Sequence, residues 1–182
     1  MKKQKIKALF AKEDITSNDQ EAFSLYEKSR FGEKLPDGEG EMKIKYSFPE
    51  ALYLIKNEKM DIYSGKSSNK TFNFKSFFKK LQILDKKIQI KFPVFEDLRQ
   101  KGYIVKTALK FGAEFRVYEK GSKPGKGHAK WIVFTDYETK KFSWHDFAAK
   151  NRVAHSTKKK LLLAIVDEEL DVSYYEVRWM KP

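Results

Sequence analysis

The run Leu161–Val166, LLLAIV, is the longest unbroken apolar stretch in the chain. It constrains the fold more than any other feature. It is far too short to span a bilayer, which takes about 20 residues. With apolar side chains on both faces it reads as a strand in the interior of a sheet, covered above and below. Such a strand needs neighbours on either side, and the surrounding sequence supplies them. Tyr103–Leu109, Ala113–Tyr118 and Lys130–Thr135 read as three strands with glycine-bearing breaks between them. Val172–Met180, rich in Val, Tyr and Trp, reads as a final strand. Ser143 opens a helix. Ser143 and Asp146 stand at capping-box spacing, with Asp replacing the usual Glu, and Phe142 and Phe147 occupy the two staple positions. The second half is therefore expected to be a mixed sheet with flanking helices.

The first half reads as shorter alternating elements. Ile6–Phe10 is a strand candidate and Gln20–Lys28 a helix candidate. Gly32–Glu41, GEKLPDGEGE, reads as a turn cluster. Met42–Phe48 alternates as a strand does. Pro49 suits a first helical turn, and Ala51, Leu52, Leu54 and Ile55 give that helix one apolar face. Asp61–Ser64 is a brief strand before the loop GKSSNK, and a helix carrying Phe74, Phe77, Phe78 and Leu81 starts near Asn73. KKIQIKF then leads into a helix with Val94, Phe95 and Leu98 on one face, stopped at Gly102. A boundary near Asp85 gives an α+β protein of two small domains: an N-terminal α/β domain, 1–85, and a C-terminal domain, 86–182.

Charge narrows the partners. The net charge is +13, from 38 Lys and Arg against 25 Asp and Glu, a balance that attracts polyanions. A lysine-rich surface kept only for solubility is the plainer alternative. There is no cysteine, so disulfides, iron–sulfur clusters and thiolate zinc sites are excluded. The three histidines, His128, His145 and His155, show no ligand spacing, so neither metal nor cofactor is expected. The stretch Met1–Asp14 has charge on both sides of a short apolar run and no signal-peptide core. A cytoplasmic protein without membrane contact is expected.

Four collinear blocks carry a resemblance: FEDLRQKGYIVKTALKFGAEFRVYEKG, GHAKWIVF, RVAHSTKKKLLLAIVD and SYYEVRWMKP. In order, spacing and terminal Lys-Pro they resemble the archaeal tRNA splicing endonuclease family over nearly the whole second half. In the first half only EALYLI, Glu50–Ile55, stands out. The resemblance implies a catalytic subunit that cuts precursor tRNA at bulge–helix–bulge sites, with 86–182 as the catalytic nuclease domain and 1–85 serving assembly and RNA support. It implies a triad of Tyr118, His128 and Lys159. Taken singly, a tyrosine ending a strand, a histidine in a polar loop and a lysine in a basic run all have ordinary structural uses. Their joint spacing carries the reading.

The chemistry asks for these residue types. Metal-free RNA cleavage needs the 2′-hydroxyl to attack the neighbouring phosphate, an acceptor for its proton, a donor for the departing 5′-oxygen, and a cation at phosphorus. The resemblance assigns these roles to Tyr118 as base, His128 as acid and Lys159 as stabiliser. Histidine titrates near neutrality and suits the acid role. A phenol, ordinarily with a pKa of about 10, acts as a base at neutral pH only where cations favour its phenolate. The products would be a 2′,3′-cyclic phosphate and a 5′-hydroxyl.

By the same resemblance Arg152 would stack on an extruded bulge base, with Trp179 or Arg178 as a second clamp and Trp179 favoured by its register. The loop with Asp167, Glu168, Glu169 and Asp171 would dock into a basic pocket on another subunit, as a homotetramer or a heterotetramer with a structural subunit. His145, in a first helical turn, and His155, in a turn, gain no role. Two rivals remain at this level: a non-catalytic structural subunit, which would be expected to lack the triad, and a generic basic RNA-binding protein, whose affinity would only track salt.

Overall fold

The computed structural model describes residues 4–37, 40–65, 70–122 and 127–180. The chain forms two compact units, residues 1–89 and 90–182. The first begins with strand β1, Ile6–Ala11, whose side chains alternate between core and surface. Lys12 and Glu13 both adopt positive φ, giving the tight turn that returns the chain as β2, Asp14–Ser17. Helix α1, Gln20–Ser29, leads to β3, Glu33–Pro36, and β4, Met42–Tyr46. Helix α2, Phe48–Lys56, precedes β5, Met60–Ser64, β6, Thr71–Phe72, and α3, Phe74–Leu84. The strands form one sheet in the order β3-β4-β2-β1-β5-β6. Its β1–β5 pairing is parallel and its other pairings antiparallel. Ile6, Ile15, Ile44, Leu52, Met60 and Phe77 are among its fully buried side chains.

The turn cluster expected over Gly32–Glu41 is in part a strand. β3 pairs with β4 at the sheet edge, where Pro36 removes no interior ladder bond. Gly38 and Glu39 lie outside the described residues, as do Lys66–Asn69 of the GKSSNK loop. The EALYLI block has a clear physical basis. Glu50 completes a capping box with Ser47 and also accepts the Gly32 amide at 2.9 Å, while Ala51, Leu52 and Leu54 are buried. Gly32 has φ +75°, and a Cβ there would stand 2.3 Å from the Ile44 Cγ2.

The second unit takes up the chain within helix α4, Ile88–Gln100, which contains Pro93. Gly102, at φ 87°, ends it as expected. Strands β7, Ile104–Ala108, β8, Ala113–Tyr118, and β9, Trp131–Tyr137, follow. Helix α5, Trp144–Ser156, then leads to β10, Lys160–Val166, and β11, Val172–Val177. The sheet order is β11-β10-β9-β8-β7. β10 is interior, parallel to β9 and antiparallel to β11. Helix α4 covers one face, with Phe95 against Phe115 and the Tyr174 hydroxyl donating to Asp97 at 2.7 Å. Helix α5 covers the other, with Ala154 packed among Ala108, Ile132, Phe134 and Leu161. Its Ser143–Asp146 capping box forms, and Phe142 meets Phe147 at 6.2 Å. Among the described residues no helix is long and apolar enough to cross a membrane. Lys181 and Pro182 of the terminal block lie outside them.

Candidate active site

Strand direction places the candidate triad positions, Tyr118, His128 and Lys159, at one end of the second sheet. β8 ends at Tyr118, whose ring is buried against Ile104 and Ala129. The Val117 carbonyl accepts the Lys130 amide at 2.8 Å, and the Lys130 carbonyl accepts the Lys160 amide at 2.9 Å. This chain of two bonds ties the end of β8 to the starts of β9 and β10. His128 is exposed, one residue before the buried Ala129. Lys123–Lys126 of the KPGKGHAK loop lie outside the described residues. β11 runs antiparallel to β10 with Val177 opposite Leu161, so Arg178 and Trp179 emerge at this same end. The acidic loop joins β10 to β11 at the other end, about 20 Å away for a seven-residue strand.

Lys159 is positioned by the end of α5. The Lys159 amide donates to the Ala154 carbonyl at 2.9 Å, and the Lys158 amide to the His155 carbonyl at 2.9 Å. Lys158 has φ 55°. These are the two bonds and the left-handed residue of a Schellman closure, with Lys158 in the position that glycine usually takes. The Thr157 hydroxyl adds bonds to the Val153 and Ala154 carbonyls at 2.9 and 3.0 Å. Lys159 Nζ then turns back onto the Thr157 carbonyl at 2.7 Å, where a cation complements the helix C-terminus. Lys158 and Lys159 both precede β10, so the helix closure rather than the strand sets their positions.

A cleft of about 740 Å³ opens here, lined by Ala129, Lys130, His155, Ser156, Lys158, Lys159 and Lys160. Its volume is within the usual range of ligand sites, about 300–1,000 Å³. Lys130 is paired with Glu119, and Lys160 with Glu176 at 3.0 Å. Among the described residues Lys158 and Lys159 have no carboxylate partner. The cleft therefore presents uncompensated positive charge beside the Tyr118 strand end, an arrangement suited to a phosphodiester. Among the described residues no three His, Asp or Glu side chains cluster as metal ligands would.

The remaining candidates separate by neighbours. Arg152 is exposed on α5, one turn before His155. Arg178 donates from Nε to Glu176 at 2.9 Å, whereas Trp179 is 58% exposed and lies against His155 at 4.9 Å between ring centroids. His155 is thus in the last turn of α5 rather than in a turn beyond it, because the helix closes only at Thr157. In the acidic loop the Asp167 carboxylate accepts the Asp171 amide at 2.8 Å, which closes the hairpin. Glu168 and Glu169 are exposed. Glu176 has no counterpart among the sequence candidates. It accepts from the Trp131 indole at 2.8 Å, Lys160 and Arg178, and these three hydrogen bonds, led by the indole, lower its carboxyl to about 2. In the sequence it lies within the expected final strand, Val172–Met180, and carries no motif of its own.

Comparison with known proteins agrees over both units. The family model described as tRNA intron endonuclease, catalytic C-terminal domain, matches residues 88–174, and that of the N-terminal domain matches 6–78. A tRNA-splicing endonuclease of Thermococcus onnurineus is 38% identical over 157 residues, covering 86% of this chain and 85% of that protein. One of Nanoarchaeum equitans is 41% identical over 139 residues, covering 73% and 87%. One of Methanothermobacter thermautotrophicus is 36% identical over 158 residues, covering 87% of each. With both domains matched and this extent of identity, the chain belongs to the tRNA intron endonuclease family and is an enzyme of tRNA splicing.

Proposed function

We propose that this enzyme excises introns from precursor tRNA by cutting at bulge–helix–bulge sites, without a metal, through attack of the 2′-hydroxyl on the adjacent phosphate. Tyr118 takes the 2′-hydroxyl proton as O2′ bonds to phosphorus. His128 donates a proton to O5′ as the P–O5′ bond breaks. Lys159 holds the added negative charge on the phosphoryl oxygens. The ends released are a 2′,3′-cyclic phosphate and a 5′-hydroxyl, so atoms and protons balance with no further reagent. The observation that carries this reading is the run of two backbone bonds from Val117 through Lys130 to Lys160. It supports a common site for residues far apart in sequence, next to a cleft with uncompensated lysines. The lack of cysteine and the scattered histidines support the metal-free route.

Two cuts per intron call for two active subunits at fixed separation. The acidic loop, remote from the cleft on its own subunit, supports assembly through that loop as a homotetramer or with a structural partner. Arg152 and Trp179 grip the extruded base. A substrate with one 2′-deoxy nucleotide 5′ to the scissile phosphate tests the chemistry, assayed in excess EDTA. It should bind and resist cleavage at that junction, while the all-ribo substrate is cut. Tyr118→Phe should lose cleavage on the all-ribo substrate, and Lys159→Ala should lower the chemical rate with little change in binding. Normal cleavage of the deoxy substrate, or loss of all activity to the chelator, would overturn the mechanism.

A further inference from the structure

His155 has no part in the chemistry just described, yet it lines the lysine cleft beside Lys159 and meets Trp179. A second, smaller cavity of about 270 Å³ is lined by Asn151, His155, Lys159, Lys160, Leu161 and the segment Val177–Trp179. His155, Lys159 and Lys160 line this cavity and the lysine cleft alike, so they form a wall common to both. The His155 and Trp179 ring centroids are 4.9 Å apart, with the planes inclined at 60°.

Trp179 needs such a support. It lies two residues past Val177, the end of β11, so no ladder bond of the sheet fixes it, and 58% of it is exposed. An exposed indole on an irregular segment has many orientations, and a ring contact restricts them. His155 is a firm base for that contact, because the Schellman bonds and the Thr157 hydroxyl close the helix end on which it stands. Lys159 is fixed by the same closure.

We infer that His155 is a positioning residue for the substrate. It holds the Trp179 indole against the shared wall, so that an unpaired base stacked on the indole lies beside the phosphate that Lys159 stabilises. The inference rests on the proposed contact between Trp179 and the bulge base. Its test therefore has one arm without RNA. The first arm measures acrylamide quenching of the tryptophan emission that Trp179→Phe removes. His155→Ala should raise the accessibility of that emission, and His155→Phe should return it to the wild-type value. The second arm measures binding of bulged and plain duplex RNA. His155→Ala should weaken bulged RNA by about 2–10-fold, the value of one aromatic pair, and leave plain duplex unchanged. His155→Phe should restore binding, and His155→Ala should add nothing to Trp179→Ala. Quenching indifferent to His155→Ala, or failure of His155→Phe to rescue binding, overturns the inference. If quenching responds as stated but Trp179→Ala does not affect bulged RNA, the base contact itself is wrong, and the pair is a structural contact only.

Discussion

Glu50 offers a stability test whose size follows from its surroundings. Only 3% of the residue is exposed, and its carboxylate accepts from the Gly32 amide at 2.9 Å on Oε1, and from the Ser47 amide and hydroxyl at 3.0 and 2.9 Å on Oε2. Glu50→Ala removes all three. Hydrogen bonds to a charged group contribute about 1.5–3 kcal/mol each, but removing a buried carboxylate also relieves a desolvation cost of several kcal/mol. What survives that offset is the buried Gly32 amide deprived of this acceptor, about 1–3 kcal/mol, and the lost cap, about 0.5–2 kcal/mol. The expected loss is about 2–4 kcal/mol. Glu50→Gln keeps one acceptor oxygen for two sets of donors and should lose about 1–2 kcal/mol. Urea unfolding followed by far-UV circular dichroism measures it, with a midpoint lowered by about 1–2 M for Glu50→Ala. Trp131, Trp144 and Trp179 all lie in the second unit, so dichroism rather than tryptophan emission is the probe to use. If Glu50→Ala costs no more than Ser47→Ala, at about 1 kcal/mol, the tie to Gly32 contributes nothing and the reasoning fails.

Other perturbations address the site directly. His128→Ala should slow cleavage by about 10²–10⁴-fold, and a 5′-thio leaving group should shrink that defect; an equal defect on both substrates would remove His128 from the acid role. Arg152→Ala should weaken bulged RNA more than plain duplex in a binding assay, since only an extruded base offers a face to stack on. Glu168→Lys with Glu169→Lys, leaving Asp167 to close the hairpin, should convert a tetramer into smaller species by sedimentation; an unchanged profile would make the loop an ordinary turn. Glu176 is lowered from 4.5 to about 2, so its network contributes fully at pH values above the unfolded carboxylate range and is lost as pH falls through about 2. The Trp131 indole N–H resonance should report this, holding steady through pH 4.5 and moving only near the lower value.

Where the sequence was legible, local pattern and tertiary structure made the same demand. LLLAIV had to be interior, and Ser143 with Asp146 had to open a helix, whatever lay elsewhere. Where it was not, a long-range contact decided. β3 is written in turn residues and becomes a strand because β4 lies alongside it, with Glu50 gripping the amide of Gly32 just before it. β2 has few residues, and its two-residue turn uses Lys12 and Glu13 instead of the Asn and Gly that announce such turns. The Schellman closure was hidden likewise, since lysine occupies the left-handed position. That closure decides where Lys159 goes, so its spacing from Tyr118 and His128 could be read in the sequence while the reason for it could not.

The same topology bears on assembly. β10 has the uncompensated lysines just before its start and the acidic loop at its end, and the length of the strand keeps them about 20 Å apart. That is about two and a half times the screening length at physiological salt, about 8 Å. The carboxylates of Glu168 and Glu169 therefore do little to neutralise the cleft of their own subunit. Asp167 is engaged in closing the hairpin, but Glu168 and Glu169 have no such duty and are exposed. On a chain of net charge +13, an acidic projection of this kind finds its complement most readily on a second copy of the same basic surface. In the proposed assembly, a positive site for RNA and a negative subunit contact at the opposite end would thus be two consequences of one strand. This separation is what allows the proposed assembly to form without competing with the substrate.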